Sequence, residues 1–171
     1  MSILNIKNCF DPVLRKKCDP VENIGDRLIT LTQDMIETMF SAPGAGLAAN
    51  QVGVSSRLVV VDLGVKEGAH KPLIIVNPEI TAMEDEITGE EGCLSIPEIF
   101  AEVKRAKRIE VKGVDLDGKE IRVEHEDFFA RVFQHELDHL DGILFWDKIG
   151  RVKRDILRRK FKKMLKDLEN E

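Results

Sequence analysis

Gln134-His135-Glu136-Leu137-Asp138-His139-Leu140 is the stretch around which the rest of the chain is organised. It carries an H-E-x-x-H pattern. On a helix, residues four apart lie one above the other on the same face. Two imidazoles so placed can both point at one divalent cation, and Glu136 then lies beside the position a bound water takes. Phe128, Phe129, Val132, Phe133, Leu137 and Leu140 recur near the 3.6-residue period and predict the helix. Asp127 reads as its N-cap and Gly142 as its stop. The competing readings are hydrogen-bonded core histidines, or surface histidines paired with Asp138. An open catalytic metal site commonly takes a third protein ligand, and the helix supplies two. Cys93, Glu90, Glu91 and His125 are the candidates. Gly92 frees the backbone beside Cys93, yet spacing alone leaves both Cys93 and Glu91 open.

Outward from that helix, the chain of 171 residues is 43% apolar and 33% charged, which suits one domain with a real core. No run approaches the ~18 apolar residues of a membrane span, and residues 1–7 lack the pattern of a signal peptide. Cys9, Cys18 and Cys93 are an odd, sparse set. They suggest a reducing cytoplasm rather than a disulfide framework. The net charge of −5 hides an asymmetry. Of 26 Lys/Arg and 31 Asp/Glu, nine and four fall in residues 151–171, leaving 17 and 27 for an acidic body.

Residues 1–20 read as an irregular arm broken by Pro12 and Pro20. Leu28, Leu31, Met35, Ile36, Met39 and Phe40 predict an amphipathic helix from about Asp26 to Phe40. The small residues from Gly44 to Gly53 imply a close neighbour, either a packed strand or a ligand, with Gln51 as the polar amide among them. A phosphate loop is a weak reading there, because no Lys-Ser/Thr follows. Arg57–Leu63, Leu73–Ile80, Lys104–Val114 and Lys119–Glu126 read as strands, the last two joined by an Asp-Gly turn. Glu84-Asp85-Glu86 and Gly89-Glu90 read as an acidic, solvated loop. The order predicts an α+β fold: mainly antiparallel, short-stranded sheets around the histidine-bearing helix, with an N-terminal and a C-terminal helix.

Taken together, Gly44-Ala45-Gly46-Leu47-Ala48-Ala49-Asn50-Gln51, Glu91-Gly92-Cys93-Leu94-Ser95 and Gln134 to Leu140 resemble the three signature motifs of peptide deformylases, in that family's order. The likeness spans nearly the whole chain and removes the phosphate-loop reading. It implies a deformylase catalytic domain over 1–150, with 151–171 a basic amphipathic helix of the same domain. The implied reaction takes the formyl group from the initiator N-formylmethionine of nascent polypeptides and releases formate. By resemblance, Cys93, His135 and His139 hold one divalent metal per chain: Fe(II) in the cell, and Zn, Ni or Co in purified protein. The cation acidifies its water; Glu136 takes the proton and passes it to the leaving amine. The Gln51 amide and the Leu94 N–H stabilise the oxyanion. Gly44 and Gly46 let the substrate backbone lie alongside as an added strand. Leu47, Phe128 and Val132, with Ala45 and His135 nearby, wall the methionine pocket.

Glu91 is expected to be structural, with Arg105 as its partner. Glu98-Ile99-Phe100-Ala101 stands where the family can place an arginine. Expected partners are N-formylmethionyl peptides and, through the basic face of the last helix, the ribosome near its exit tunnel; no membrane or DNA partner is expected. The rivals are an H-E-x-x-H zinc peptidase, which usually draws its third ligand from beyond the helix, and a ribosome-binding module with a closed structural metal.

Overall fold

Leu58-Val59-Val60-Val61 places apolar side chains at successive positions, so a strand there needs cover on both faces. The computed structural model describes residues 2–170 and provides it; Met1 and Glu171, the ends of the two expected spans, lie outside the described residues. The elements are α1 (Asp26–Ser41), β1 (Gly46–Ala48), β2 (Leu58–Asp62), β3 (Pro72–Cys93), β4 (Ile96–Val114), β5 (Glu120–Glu126), α2 (Asp127–Leu140) and α3 (Arg151–Glu169). The strands form one antiparallel sheet in chain order. Leu58 and Val60 pack with Met35 and Met39 of α1, while Val59 and Val61 pack with Ala130, Phe133, Leu137 and Leu140 of α2. The sheet is thus clamped between two helices where it carries the site, and the fold is α+β as expected.

Two differences have plain causes. The acidic stretch 84–90 is strand, not loop, and β3 and β4 run to 22 and 19 residues. Solvent covers this arm on both sides, so the apolar alternation that marks a strand is missing there. Its ladder is dressed with cross-strand pairs, Glu86 with Lys104 at 2.7 Å and Glu84 with Arg108 at 3.8 Å. At α2 the cap position belongs to Glu126, and Asp127 is the first helical residue, because β5 runs straight into the helix without a loop. Gly142 does end the helix. Its φ is +76°, and a Cβ there would meet the Arg15 carbonyl oxygen at 2.7 Å.

In the third core cluster, Leu157, Phe161, Met164 and Leu165 of α3 pack with Leu144, Phe145 and Trp146. Ile156 and Leu168 of the same helix are instead 53% and 66% exposed. Among the described residues no helix is long and apolar enough to cross a membrane.

Candidate active site

Phe128, Arg131, Val132, His135, Glu136 and His139 share one face of α2 by their spacing. All but His139 line a cavity of about 430 Å³ with Gly44, Ala45, Gly46, Gln51, Cys93 and Leu94. Cys93 arrives from the end of β3, where the β3–β4 register slips between Glu91 and Cys93 just before the tight turn to Ile96. Such a bulge re-aims a side chain out of the pleat.

Cys93 Sγ lies 3.2 Å from His139 Nε2, which lies 3.2 Å from His135 Nε2. All three atoms fall within 4.8 Å of one another. Tetrahedral bonds of the usual Zn–N and Zn–S lengths would set such ligand atoms roughly 3.3–3.6 Å apart. The donor set and its spacing therefore fit one divalent ion. Of the four candidates for the third ligand, Cys93 is the one brought into this group. Glu90 is exposed, and His125 stacks on Phe133 at 4.9 Å instead. Glu91 stands behind His135, its Oε2 3.0 Å from Nδ1. A proton on Nδ1 donated to that carboxylate leaves Nε2 unprotonated and facing Cys93 and His139.

Glu91 is held by charge. Arg105 donates through Nε at 2.7 Å and Nη2 at 2.9 Å, and Arg131 through Nη1 at 2.9 Å. Burial pushes its pKa up, but Arg105 and His135 outweigh burial and hold it at about 2. Burial lowers both ring pKa values. His139 ends well below the ordinary value, with the neighbouring His135 adding to the effect, whereas bonds to Cys93 and Glu91 carry His135 well above it.

Glu136 is 4% exposed, and its Oε2 is buried without a hydrogen-bond partner. Burial first, then Glu91, raises its pKa to about 7 against the pull of His135 and Arg105. Gln51 accepts from the Ala48 N–H at 2.9 Å, which turns its amide nitrogen toward Ser95 Oγ at 3.2 Å and Cys93 Sγ at 3.7 Å. Gly44 and Gly46 have immediate structural reasons. A Cβ would meet Leu94 Cδ1 or Glu136 Oε1, each at 2.7 Å.

Leu47 corrects the expected pocket. It is fully buried with Met35 and Met39, because strand alternation sends it to the α1 face while Gly46 faces α2. Arg131, Ser95 and Asn50, whose amide donates to the His139 carbonyl, escaped the sequence reading. Arg131 had a signal: a charge one turn before His135 on an otherwise apolar inward face.

Comparison with known proteins agrees with this geometry. The family model for polypeptide deformylase matches residues 3–155. The peptide deformylase of Syntrophobacter fumaroxidans is 50% identical over 167 residues, covering 98% of each chain. That of Thermodesulfovibrio yellowstonii is 51% identical over 162 residues, 95% of this chain and 98% of the other. The crystal structure of a peptide deformylase from Legionella pneumophila superposes with a TM-score of 0.93 at 40% identity over 99% of both chains. The Ehrlichia chaffeensis enzyme in complex with actinonin gives 0.90 at 37% identity, over 96% of this chain and 98% of that one. With its sheet, its helix-borne histidines and its Cys93 all in that company, the chain belongs to the polypeptide deformylase family of hydrolases.

Proposed function

We propose that this enzyme removes the formyl group from N-formylmethionine at the start of nascent polypeptides, with Cys93, His135 and His139 holding Fe(II) in the cell. Zn, Ni or Co would occupy the same ligands in purified protein. The observation that carries the reading is the convergence of one thiol and two imidazole nitrogens beside a buried, unpartnered carboxylate in one cavity. A divalent ion bound there supplies Lewis acidity that lowers the pKa of water and polarises a carbonyl.

The remaining roles belong to the chain. Glu136, with a pKa near the working pH, takes a proton from the attacking water and returns it to the leaving amine. The Gln51 amide and the Leu94 N–H receive charge that develops on the formyl oxygen, each worth roughly 3 kcal/mol by mutational precedent. Gly44 and Gly46 present bare backbone to the peptide, while Ala45, Phe128 and Val132 wall the methionine side chain. A peptidase of the H-E-x-x-H kind is disfavoured by the upstream position of Cys93.

Residues 1–150 and the helix from 151 form one folding unit in this reading, supported by Phe161 in the core beside Trp146. The exposed basic side chains of α3 would dock on the ribosome near its exit tunnel. The cytoplasm is the natural setting, where Cys93 stays reduced and formylated chains emerge.

Formate release from a formyl-Met tripeptide, with anaerobic Fe(II)-loaded protein, tests the reaction. Rapid turnover in the wild type should fall by two orders of magnitude or more in Glu136→Ala, in line with general acid–base contributions of roughly 10²–10⁴. Turnover that survives Glu136→Ala would remove the proposed base, and a metal-loaded wild type that cleaves only unformylated peptides would replace the reaction with a peptidase.

A further inference from the structure

Arg131 sits one turn before His135 on α2, 11% exposed at its side chain, and reaches both β3 and β4. Its Nη1 donates to Glu91 Oε1 at 2.9 Å and to the Val103 carbonyl of β4 at 2.7 Å, and its Nη2 donates to the Ile87 carbonyl of β3 at 3.0 Å. The guanidinium lies flat on Gly89. A Cβ added there would stand 3.1 Å from Nη2 and 3.2 Å from Cζ and Nε, so the absence of a side chain at 89 makes the room. Arg131 also lines the cavity, together with Phe128 and His135.

The consequence for Glu91 follows from a count of lone pairs. Oε1 accepts from Arg105 Nε and Arg131 Nη1; Oε2 accepts from Arg105 Nη2 and His135 Nδ1. Every acceptor position of the carboxylate is filled. The Arg105 fork grips one edge, about which the group could still pivot. Arg131, itself fixed by two main-chain carbonyls, closes the far side of Oε1 and so sets the direction in which Oε2 presents to His135.

We infer that Arg131 is a positioning residue for the metal centre, acting through Glu91 on the orientation and tautomer of His135. It touches neither the ligand atoms nor the reacting groups. This deepens the site reading proposed above and rests on it.

The test is Arg131→Met, which keeps an unbranched stem on the cavity wall and deletes the guanidinium, read beside wild type in Co(II)-loaded protein. The readouts are the visible Co(II) spectrum, the rate of Co(II) loss to a chelator, and kcat and KM for a formyl-Met tripeptide. The variant should lose Co(II) about tenfold faster or more, as outer-shell substitutions do, with a shifted spectrum, a lower kcat and a KM within about twofold. Arg131→Lys, which keeps charge but not the three-way bonding, should fall between.

Should Arg131→Met not fold, Gly89→Ala tests the same contact by pushing the guanidinium aside, and it should shift the spectrum in the same direction. An unchanged Co(II) spectrum and loss rate in a folded variant, even one that melts earlier, would overturn the proposal and leave Arg131 a strut. A wild type that shows no thiolate–Co(II) spectrum would instead overturn the metal-site reading beneath it.

Discussion

Gly46 and Glu136 occupy adjoining space so closely that either constrains the other. A methyl group at 46 would stand 2.7 Å from Glu136 Oε1 and 2.8 Å from its Cγ, and the carboxylate is buried with little room to retreat. Gly46→Ala should therefore displace the proposed base as well as strain the sheet. The expected cost is about 1–3 kcal/mol of stability, typical of overpacking. Catalysis should suffer more, since a displacement of about 1 Å at a reacting group can cost roughly 10²-fold. Thermal melting and formate release separate the two effects, and a variant that melts early yet keeps full kcat would show that Glu136 tolerates the shift. At this scale the two histidines were legible in sequence, because one metal forces their i, i+4 spacing on a helix, whereas Cys93 came from the family resemblance, spacing alone having left Glu91 open as well. Leu47 was not, because the face a strand residue takes depends on which helix covers which side. Arg131 showed only as a charge on the inward face of α2; two of its three acceptors are main-chain carbonyls of β3 and β4, and no sequence pattern marks those.

The junction of β5 and α2 buries a titratable group away from the site. His125, paired with Ile109 across β4, stacks on Phe133 and lies 5.8 Å from Phe129, and its Nε2 is buried without a partner. Burial lowers its pKa, since a charge there would be stripped of water. The sign follows by linkage. The unfolded ring has a pKa near 6.5, so the folded form gains from the neutral ring above that value and loses that gain as pH falls below it toward the depressed folded value. Melting temperature should thus drop between pH 7 and 5 more steeply in the wild type than in His125→Phe, which keeps the stacking surface and cannot titrate. Parallel pH profiles in the two proteins would sink the idea. The helices α1 and α2 were readable from periodicity and the buried strand β2 from its unbroken β-branched run, because each has a covered face. The far arm of β3 was not, since a ribbon wetted on both sides has no apolar period to read.

Across the whole molecule, the acidic body and the basic α3 divide the charge, and α3 is tied down by one side chain above the rest. Phe161 is 1% exposed, with its ring 5.9 Å from Phe10 and 6.4 Å from Trp146, so it bridges the N-terminal arm, the helix and the cluster that backs Cys93. Truncating it should cost about 3–5 kcal/mol, the usual range for a buried Phe→Ala. Apart from the half-buried Arg154, the cationic side chains of this helix are exposed. Packing and charge on this helix are therefore separable. Lys160→Glu with Lys163→Glu should leave the fold and the turnover of free formylated tripeptides within about twofold of wild type, because neither residue touches the cavity. If α3 docks on ribosomal RNA, the same double reversal should abolish co-sedimentation with ribosomes at low salt. The wild-type association should itself weaken steeply as salt rises, as expected when cations displace counterions from phosphate. Co-sedimentation that survives both the reversal and high salt would mean that the basic face is only a solvated exterior, and that Phe161 alone explains why the helix is there.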